Sequence, residues 1–299
     1  MRLAIITINY NGSESTIKLL NSLAGQTDND FRVFIIDNAS EETDFKLLSN
    51  FLRVTTCDAI TFRNIENLGF SGGNNVGIKE ALKNGADWML ILNNDTWTEN
   101  DFIAQLKPIL TSSEGIVGVP LVEGAQTAYC GKIKWLKSMF QHEQNNSQIH
   151  NYKLQINSKF YVIGGAMAIH KDVFEKIGLL DEKYFLYFED ADFCIRARCV
   201  NIPLTIAENI IIYHNPSSTT KKLGSPFLLR YHYRNALYFN WKNGPWYIKL
   251  LVWPWSWIVI LKQIFKVMTH HNREWSVAIL KGVFDFYKNK MGRIVKVSD

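Results

Sequence analysis

The chain of 299 residues is 47% hydrophobic and 20% charged with a formal net charge of +5, which supplies apolar material for one large domain or two joined ones and excludes disorder as the default. The four cysteines, Cys57, Cys130, Cys194 and Cys199, show neither paired CxxC spacing nor the density of a secreted disulfide scaffold, so reduced cytosolic thiols are expected and a structural zinc site is not. Charge is unevenly placed: residues 221–299 hold 14 Lys and Arg against Glu274, Asp285 and Asp299, a surplus of +11 that leaves residues 1–220 at −6.

The opening MRLAIITINYNG has one basic residue, a short apolar run and no small-residue cleavage site, and it reads as a strand over 3–8 rather than a signal peptide. An amphipathic helix over 13–25 follows, then an apolar run at 31–38, a helix over 73–84 and the strand WMLILN at 88–93. This alternation predicts βαβ units, hence an α/β fold with a mostly parallel central sheet flanked by helices. Ligands of such sheets bind outside the carboxyl ends of the strands, which singles out Thr7, Asn9 and Tyr10, then Asp37 and Asn38, then Asn93, Asn94 and Asp95. Residues 99–220 read as mixed strands and helices, with an exposed loop expected over the polar stretch 140–153 and a boundary near 220.

Five strings carry candidate chemistry. LILNNDT ends a buried strand in two amides and a carboxylate, as expected of a tip that holds a divalent cation beside phosphates; a turn that caps the next helix accounts for the same string. In YFEDADFCIRA, Glu189, Asp190 and Asp192 open a helix whose dipole favours acids there. Crowded carboxylates beside the aromatic run YFLYF are also expected to have raised pKa values, as a general base requires. His214, at the end of IIIYHNP, is either a structural histidine or a ligand for a transition ion such as Mn2+. ENLGFSGGNNVGIKEA leads three glycines and several amides into a helix, a setting for close approach of a ligand. It lacks the GxGxxG order and does not follow the first strand, which disfavours a nicotinamide cofactor. Gly164 and Gly165 inside a strand pattern mark either close ligand approach or tight packing.

In this order, TINYNG, IIDNAS, NLGFSGGNNVGI, LNNDT, GGAMAIHKDVFEKIGLLDEKYFLYFEDADFCIRA and YH resemble the family 2 glycosyltransferases over about residues 1–220, and most closely their rhamnosyltransferase-like and galactofuranosyltransferase-like branch. The resemblance implies a GT-A, Rossmann-like catalytic domain over 1–220, with a nucleotide-binding half at 1–98 and an acceptor-binding half at 99–220. It implies inverting transfer of a sugar from a nucleotide diphosphate sugar, dTDP-rhamnose or a UDP-hexose, to a hydroxyl of a glycan or lipid-linked acceptor in cell-surface polysaccharide synthesis. Donor contacts are then expected from Thr7, Asn9, Tyr10, Asp37, Asn67, Gly72, Asn74 and Asn93, and acceptor contacts from Gly164 and Gly165. Asp190 is expected as the base with Glu189 beside it, and Asp192 as a helix cap or acceptor contact. The family's metal-holding DxD falls on Asn93-Asn94-Asp95, so a Mg2+ or Mn2+ cofactor is expected on Asp95, His214 and Asn93. The amide in place of the first acid predicts lower ion affinity and more dependence on the donor diphosphate. A catalytically silent nucleotide-sugar-binding or scaffold protein is the competing reading; a nucleotidyltransferase would be expected to show a Gly-rich and basic loop after the first strand, which NYNGSEST lacks.

Residues 246–268 contain an uncharged stretch of only 12 residues, 250–261, with Pro254 inside it, against the roughly 20 apolar residues a spanning helix takes. Clustered Trp with interspersed Lys predicts an interfacial segment, so the basic-aromatic C-terminal extension 221–299 is expected to be helical and to hold the enzyme peripherally at the cytoplasmic, inner-leaflet membrane surface. Packing on the catalytic domain or on a second copy, as a homo-oligomer, explains the same apolar run. Nucleic acid is not an expected partner, because the apolar density exceeds what stacking on single strands needs.

Overall fold

The computed structural model describes residues 1–144, 159–215 and 225–295. Its first third is the expected alternation: β1 (Leu3–Asn9), α1 (Ser13–Ala24), β2 (Phe31–Asp37), α2 (Glu42–Leu52), β3 (Ala59–Arg63), α3 (Gly69–Lys83) and β4 (Trp88–Leu92). Next come β5 (Thr96–Trp97), α4 (Phe102–Thr111), β6 (Ile116–Gly118), β7 (Leu121–Glu123), β8 (Gln126–Ala128), β9 (Cys130–Lys132), β10 (Gln141–Glu143), β11 (Phe160–Tyr161) and β12 (Ala166–His170). Then follow α5 (Lys171–Ile177), α6 (Glu189–Cys199), β13 (Leu204–Ile206), β14 (Ile212–His214), α7 (Ser225–Asn243), α8 (Trp246–Met268) and α9 (Arg273–Tyr287).

Seven strands form the central sheet in the order β13-β6-β12-β4-β1-β2-β3. All pairings are parallel except those of β12, which runs antiparallel to β4 and β6. Strands β1, β2 and β4 are buried on both faces, as their β-branched runs require. One face packs Ile6, Ile36, Ile78 and Phe193 under α3 and α6, and the other packs Ile5, Val33, Leu90 and Ile103 under α1 and α4.

Two expectations change. Helix α3 begins at Gly69 rather than near 73: Gly69 takes φ +71 where an added Cβ would strike the Phe185 carbonyl, and a Cβ on Gly77 would strike Ile6. The glycines of this helix therefore let it lie close on β1 and the 185 loop, and Gly69 also lines the protein's large cavity. The polar stretch at 140–153 is not all loop, since Gln141–Glu143 pairs antiparallel with Cys130–Lys132; three polar residues carry too little periodicity to announce a strand. Residues 145–153 of that stretch, and the boundary near 220, lie outside the described residues.

Helix α8 is a single helix of 23 residues with Pro254 inside it, where the sequence predicted an interfacial segment too interrupted to span. By length and composition alone it is the one helix among the described residues able to cross a membrane.

Candidate active site

A cavity of about 540 Å3 opens where the carboxyl ends of β1, β2 and β4 meet α3, the position expected of a ligand site in an open α/β sheet. Its lining includes Tyr10, Asn38, Asn67, Phe70, Asn74, Asn93, Asn94 and Asp95. Four of the expected donor contacts, Tyr10, Asn67, Asn74 and Asn93, thus meet in one place. The Asn74 amide donates to the Phe70 carbonyl at 3.0 Å, while its buried Oδ1 has no partner. A buried unpaired acceptor costs about 1–3 kcal/mol, so this atom calls for a donor group from a ligand.

Thr7, Asn9 and Asp37 are fully buried and lie outside the lining of this cavity. Asn9 donates to Asp37 Oδ1 at 3.0 Å, Ser40 Oγ at 3.1 Å and Asp44 Oδ2 at 2.9 Å, and it accepts from Thr16 Oγ1 at 2.9 Å. Asp37 also receives the Ser40 amide and faces Arg63 at 3.4 Å. Asn9 and Asp37 thus brace one another beneath the floor, whereas the buried Oγ1 of Thr7 has no partner. Gly72 packs against Leu68 and likewise stays out of the lining. Asn38, which the sequence marked only as a strand tip, does reach the cavity; it ties β2 to α3 through the Gly69 carbonyl at 2.9 Å.

At the cavity's edge, Asp95 Oδ1 and His214 Nε2 stand 3.3 Å apart. Strand β14 pairs antiparallel with β5, setting His214 opposite Thr96, and the Asn215 amide donates to the Asp95 carbonyl at 2.9 Å. Burial alone would lower the His214 pKa, but the hydrogen bond and charge of Asp95, with Glu123 at 3.7 Å from Nδ1, raise it above its ordinary value. One carboxylate and one imidazole fit Mg2+ or Mn2+, which commonly complete their shells with substrate phosphates and water. Among the described residues no group of three or more His, Cys, Asp or Glu is placed to enclose an ion, in keeping with Asn93 at the first DxD position.

Gly164 and Gly165 join this edge to the acidic helix. The Asn93 amide donates to the Gly165 carbonyl at 3.0 Å, and the Gly164 amide donates to Asp190 Oδ2 at 3.0 Å. An added Cβ on Gly165 would come within 3.0 Å of the Asn93 side chain, and one on Gly164 within 3.1 Å of Asp190. Both glycines thus sit where a side chain would be tighter than most contacts allow, the tight packing that the sequence offered beside ligand approach, and they set the base candidate beside the strand tip. Gly165 also lines a second cavity of about 160 Å3 with Asn93, Glu123, Gln126, His142 and His214.

Burial pushes the Asp190 pKa up, and the amides of Gly164 and Ala191, with the charge of His142, pull it part of the way back. Glu189 is pushed well above the usual range by burial and then by the charge of Asp190, and its Oε2 has no partner. Asp192 differs from both. It is 0% exposed and, like Glu189 and Asp190, outside the lining of both cavities; what sets it apart is that Tyr184, Arg196, Asn243 and Lys242 all reach it within 3.1 Å. Asp192 is the centre of a buried ionic knot that joins α6 to α7.

Sequence reasoning missed the far wall of the large cavity: Phe185 and Leu186 from the loop before α6, Phe227 and Tyr231 from α7, and Arg293, Ile294 and Val295. A signal was present in Arg234-Asn235, a polar pair within an otherwise aromatic helix. Both are buried, and Asn235 donates to the carbonyls of Tyr184 at 2.9 Å and Leu186 at 2.7 Å.

Comparison with known proteins bears on the family and the fold. A profile described as glycosyl transferase family 2 matches residues 4–178. The chain is 26% identical over 246 residues to the low-salt glycan biosynthesis hexosyltransferase Agl10 of Haloferax volcanii, covering 78% of this chain and 73% of that protein. It is 24% identical over 247 residues to the dTDP-rhamnosyl transferase RfbF of Shigella flexneri, covering 80% and 79%. Among solved structures, the mannosyltransferase PcManGT from Pyrobaculum calidifontis, in complex with GDP-Man and Mn2+, aligns with a TM-score of 0.55 at 12% identity over 97% of this chain and 88% of that one. S. aureus TarS 1–349 in complex with UDP-GlcNAc gives 0.54 at 12% identity over 100% and 95%, while this chain spans 40% of the longer TarS chain. These two likenesses establish the GT-A fold. With the profile covering more than half of its length, the chain belongs to glycosyl transferase family 2.

Proposed function

We propose that the protein transfers a sugar from a nucleotide diphosphate sugar to an acceptor hydroxyl with inversion, and that Asp190 is the general base. The observation that carries this reading is the glycine bridge: Asp190, with its pKa raised, is tied through Gly164 and Gly165 to the strand tip that bears Asn93 and Asp95. Asp190 takes the proton of the acceptor hydroxyl as that oxygen attacks the anomeric carbon, and the bond to the diphosphate breaks on the opposite side with its electron pair leaving on phosphate. General-base assistance of this kind contributes about 10²–10⁴-fold. Tyr10, Asn67 and Asn74 bind the donor, and Asp95, with His214 and Asn93, would hold Mg2+ or Mn2+. A bound ion supplies Lewis-acid stabilisation of the leaving phosphate. The acceptor enters beside Gly164 and Gly165. Residues 1–98 serve as the donor half of the catalytic domain and 99–220 as its acceptor half. The helical extension 221–299 completes the donor cavity.

The similarity to a dTDP-rhamnosyl transferase and to a hexosyltransferase of glycan biosynthesis supports dTDP-rhamnose first and UDP-hexoses next as donors. The glycan biosynthesis relative and the exposed face of α8 support a glycan or lipid-linked acceptor of cell-surface polysaccharide. Trp246, Leu250, Trp253, Trp257, Leu261, Ile264 and Met268 recur every three or four residues and are each at least 41% exposed, so they form one outward apolar stripe. Lys249, Lys262 and Lys266 flank it. The opposite stripe, Ile248, Val252, Ser256, Ile260 and Gln263, is buried. A helix committed on one side to its own protein, with an apolar outer stripe and flanking cations, suits the plane of an anionic cytoplasmic leaflet better than a crossing.

Thermal shift of the full chain against dTDP-rhamnose, UDP-hexoses and GDP-mannose with Mn2+, followed by transfer assays on the stabilising donor, tests the reading. Stabilisation by one nucleotide sugar is expected, and Asp190→Asn is expected to lower turnover by about 10²–10⁴-fold with donor binding unchanged. Near-normal turnover in that variant removes Asp190 from the role. A wild-type chain that binds donor but neither transfers nor hydrolyses it favours the silent scaffold.

A further inference from the structure

The far wall of the large cavity is built by the end of the chain. After α9 the backbone turns at Gly292, φ +75, and runs back so that Arg293, Ile294 and Val295 line the same space as Tyr10, Asn67 and Asp95. This strap is pinned at every step. Arg234 donates to the Gly292 carbonyl at 2.8 Å and the Lys290 carbonyl at 3.2 Å, Gly292 donates to the Lys183 carbonyl at 2.8 Å, and the Ile294 amide donates to Tyr231 Oη at 2.7 Å. Arg234 is only 1% exposed, and burial brings its pKa down to about 10. A buried guanidinium is tolerated only when its donors are used, and those of Arg234 are spent on holding this backbone and the Tyr184 carbonyl at 3.2 Å.

The strap delivers a charge. Among the described residues that line the cavity, Arg293 is the one cation and Asp95 the one carboxylate. Arg293 faces Glu66 at 3.7 Å with both side chains about half exposed, an ion pair of the kind worth roughly 0–1 kcal/mol and easily exchanged for a stronger partner. A guanidinium matches phosphate oxygens with two parallel hydrogen bonds. With an amide at Asn93 in place of an acid, the site has less protein charge with which to hold an ion against the phosphates, so a cation from the protein itself has more to contribute.

We infer that Arg293 is a donor-binding residue that pairs with the diphosphate of the nucleotide sugar, carried to it by the strap 290–295. The inference rests on the donor reading above and adds to it a residue from outside the family-matched region 4–178. Calorimetric titration of the full chain with UDP, dTDP and GDP, and with uridine, thymidine and guanosine, tests it. Arg293→Gln is expected to weaken the nucleoside diphosphate that the wild type binds by about 10–100-fold, the range of a hydrogen bond to a charged group, while nucleoside affinity and melting temperature stay at wild-type values. Arg293→Lys, which keeps the charge and loses the fork, is expected to fall between. Equal diphosphate affinity in wild type and Arg293→Gln overturns the inference and leaves the donor reading standing, as does an equal loss for nucleoside and diphosphate. A wild type that binds none of the three diphosphates overturns the donor reading and this one with it.

Discussion

Helices α7 and α8 come from the same basic, aromatic tail, and the protein uses them in opposite ways. Helix α7 buries Arg234, Asn235 and Asn240, and through Lys242 and Asn243 it reaches the carboxylate of Asp192. Helix α8 buries one stripe against its neighbours and leaves Trp, Leu and Ile side chains uncovered. What separates them is buried polarity. A buried amide or guanidinium must find a specific partner or lose about 1–3 kcal/mol, so it gives a helix a fixed address within the fold. An exposed apolar stripe requires only something apolar to lie on.

The largest effect expected from this contrast lies at Asn235. Its amide serves the carbonyls of Tyr184, Leu186 and Tyr187, in a loop where Phe185, Tyr187 and Phe188 all take left-handed backbone conformations, with φ of 64, 71 and 77. Bulky residues there cost about 1–3 kcal/mol each and persist only where the surroundings impose them. Because Glu189 and Asp190 follow directly, the grip of α7 on this loop also positions the proposed base. Asn235→Leu takes this donor from all three carbonyls and leaves Tyr184 with the Arg234 guanidinium, so the melting temperature is expected to fall by several degrees and the transfer rate to fall with it at temperatures where the variant remains folded. A destabilised Asn235→Leu with wild-type turnover would cut the link between α7 and the base.

The difference between the two helices also marks how much could be read from the sequence. Strands β1, β2 and β4 were legible because continuous β-branched runs have few alternatives, and Tyr10, Asn93 and Asp95 line the cavity as strand-tip logic expects, joined by Asn67 and Asn74, which the family resemblance had marked. The same logic placed Thr7, Asn9 and Asp37 there, yet they are sealed below: polarity at a strand tip reads alike whether the side chain faces a ligand or a neighbouring tip. His214 meets Asp95 through the pairing of β14 with β5, a contact long in sequence that no local pattern encodes. Phe185, Tyr231 and Arg293 were beyond reach because each enters the cavity through tertiary contacts of a tail whose composition, taken alone, pointed only to a surface.

A smaller effect, and one that depends on pH, is expected at Glu189. Burial and the charge of Asp190 raise its pKa well above the ordinary 4.5, so between 4.5 and the raised value the folded state holds a proton that the unfolded state has released. Stability then declines as pH rises through that interval. Glu189→Gln keeps the shape and removes the ionisation, so the variant's melting temperature is expected to exceed that of the wild type at neutral pH and to approach it at acidic pH. A difference that stays constant across the range, or widens toward acid, contradicts the burial of an ionisable Glu189.

The smallest effect on stability is expected on the outer stripe of α8, and the contrast between the helices is sharpest there. Trp257 and Leu261 are 58% and 63% exposed, and substitutions at such positions shift stability by no more than about 0.5 kcal/mol. The double variant Trp257→Glu, Leu261→Glu is therefore expected to fold and to turn over a water-soluble acceptor as the wild type does. Its flotation with liposomes that contain anionic lipid should nevertheless collapse, because two apolar anchors are lost and two negative charges now face the headgroups. If the stripe instead covers a second copy of the chain, the wild type sediments as a dimer without lipid and the double variant as a monomer. Loss of turnover on the soluble acceptor would mean that α8, like α7, takes part in the site, and the division of labour within the tail would fail.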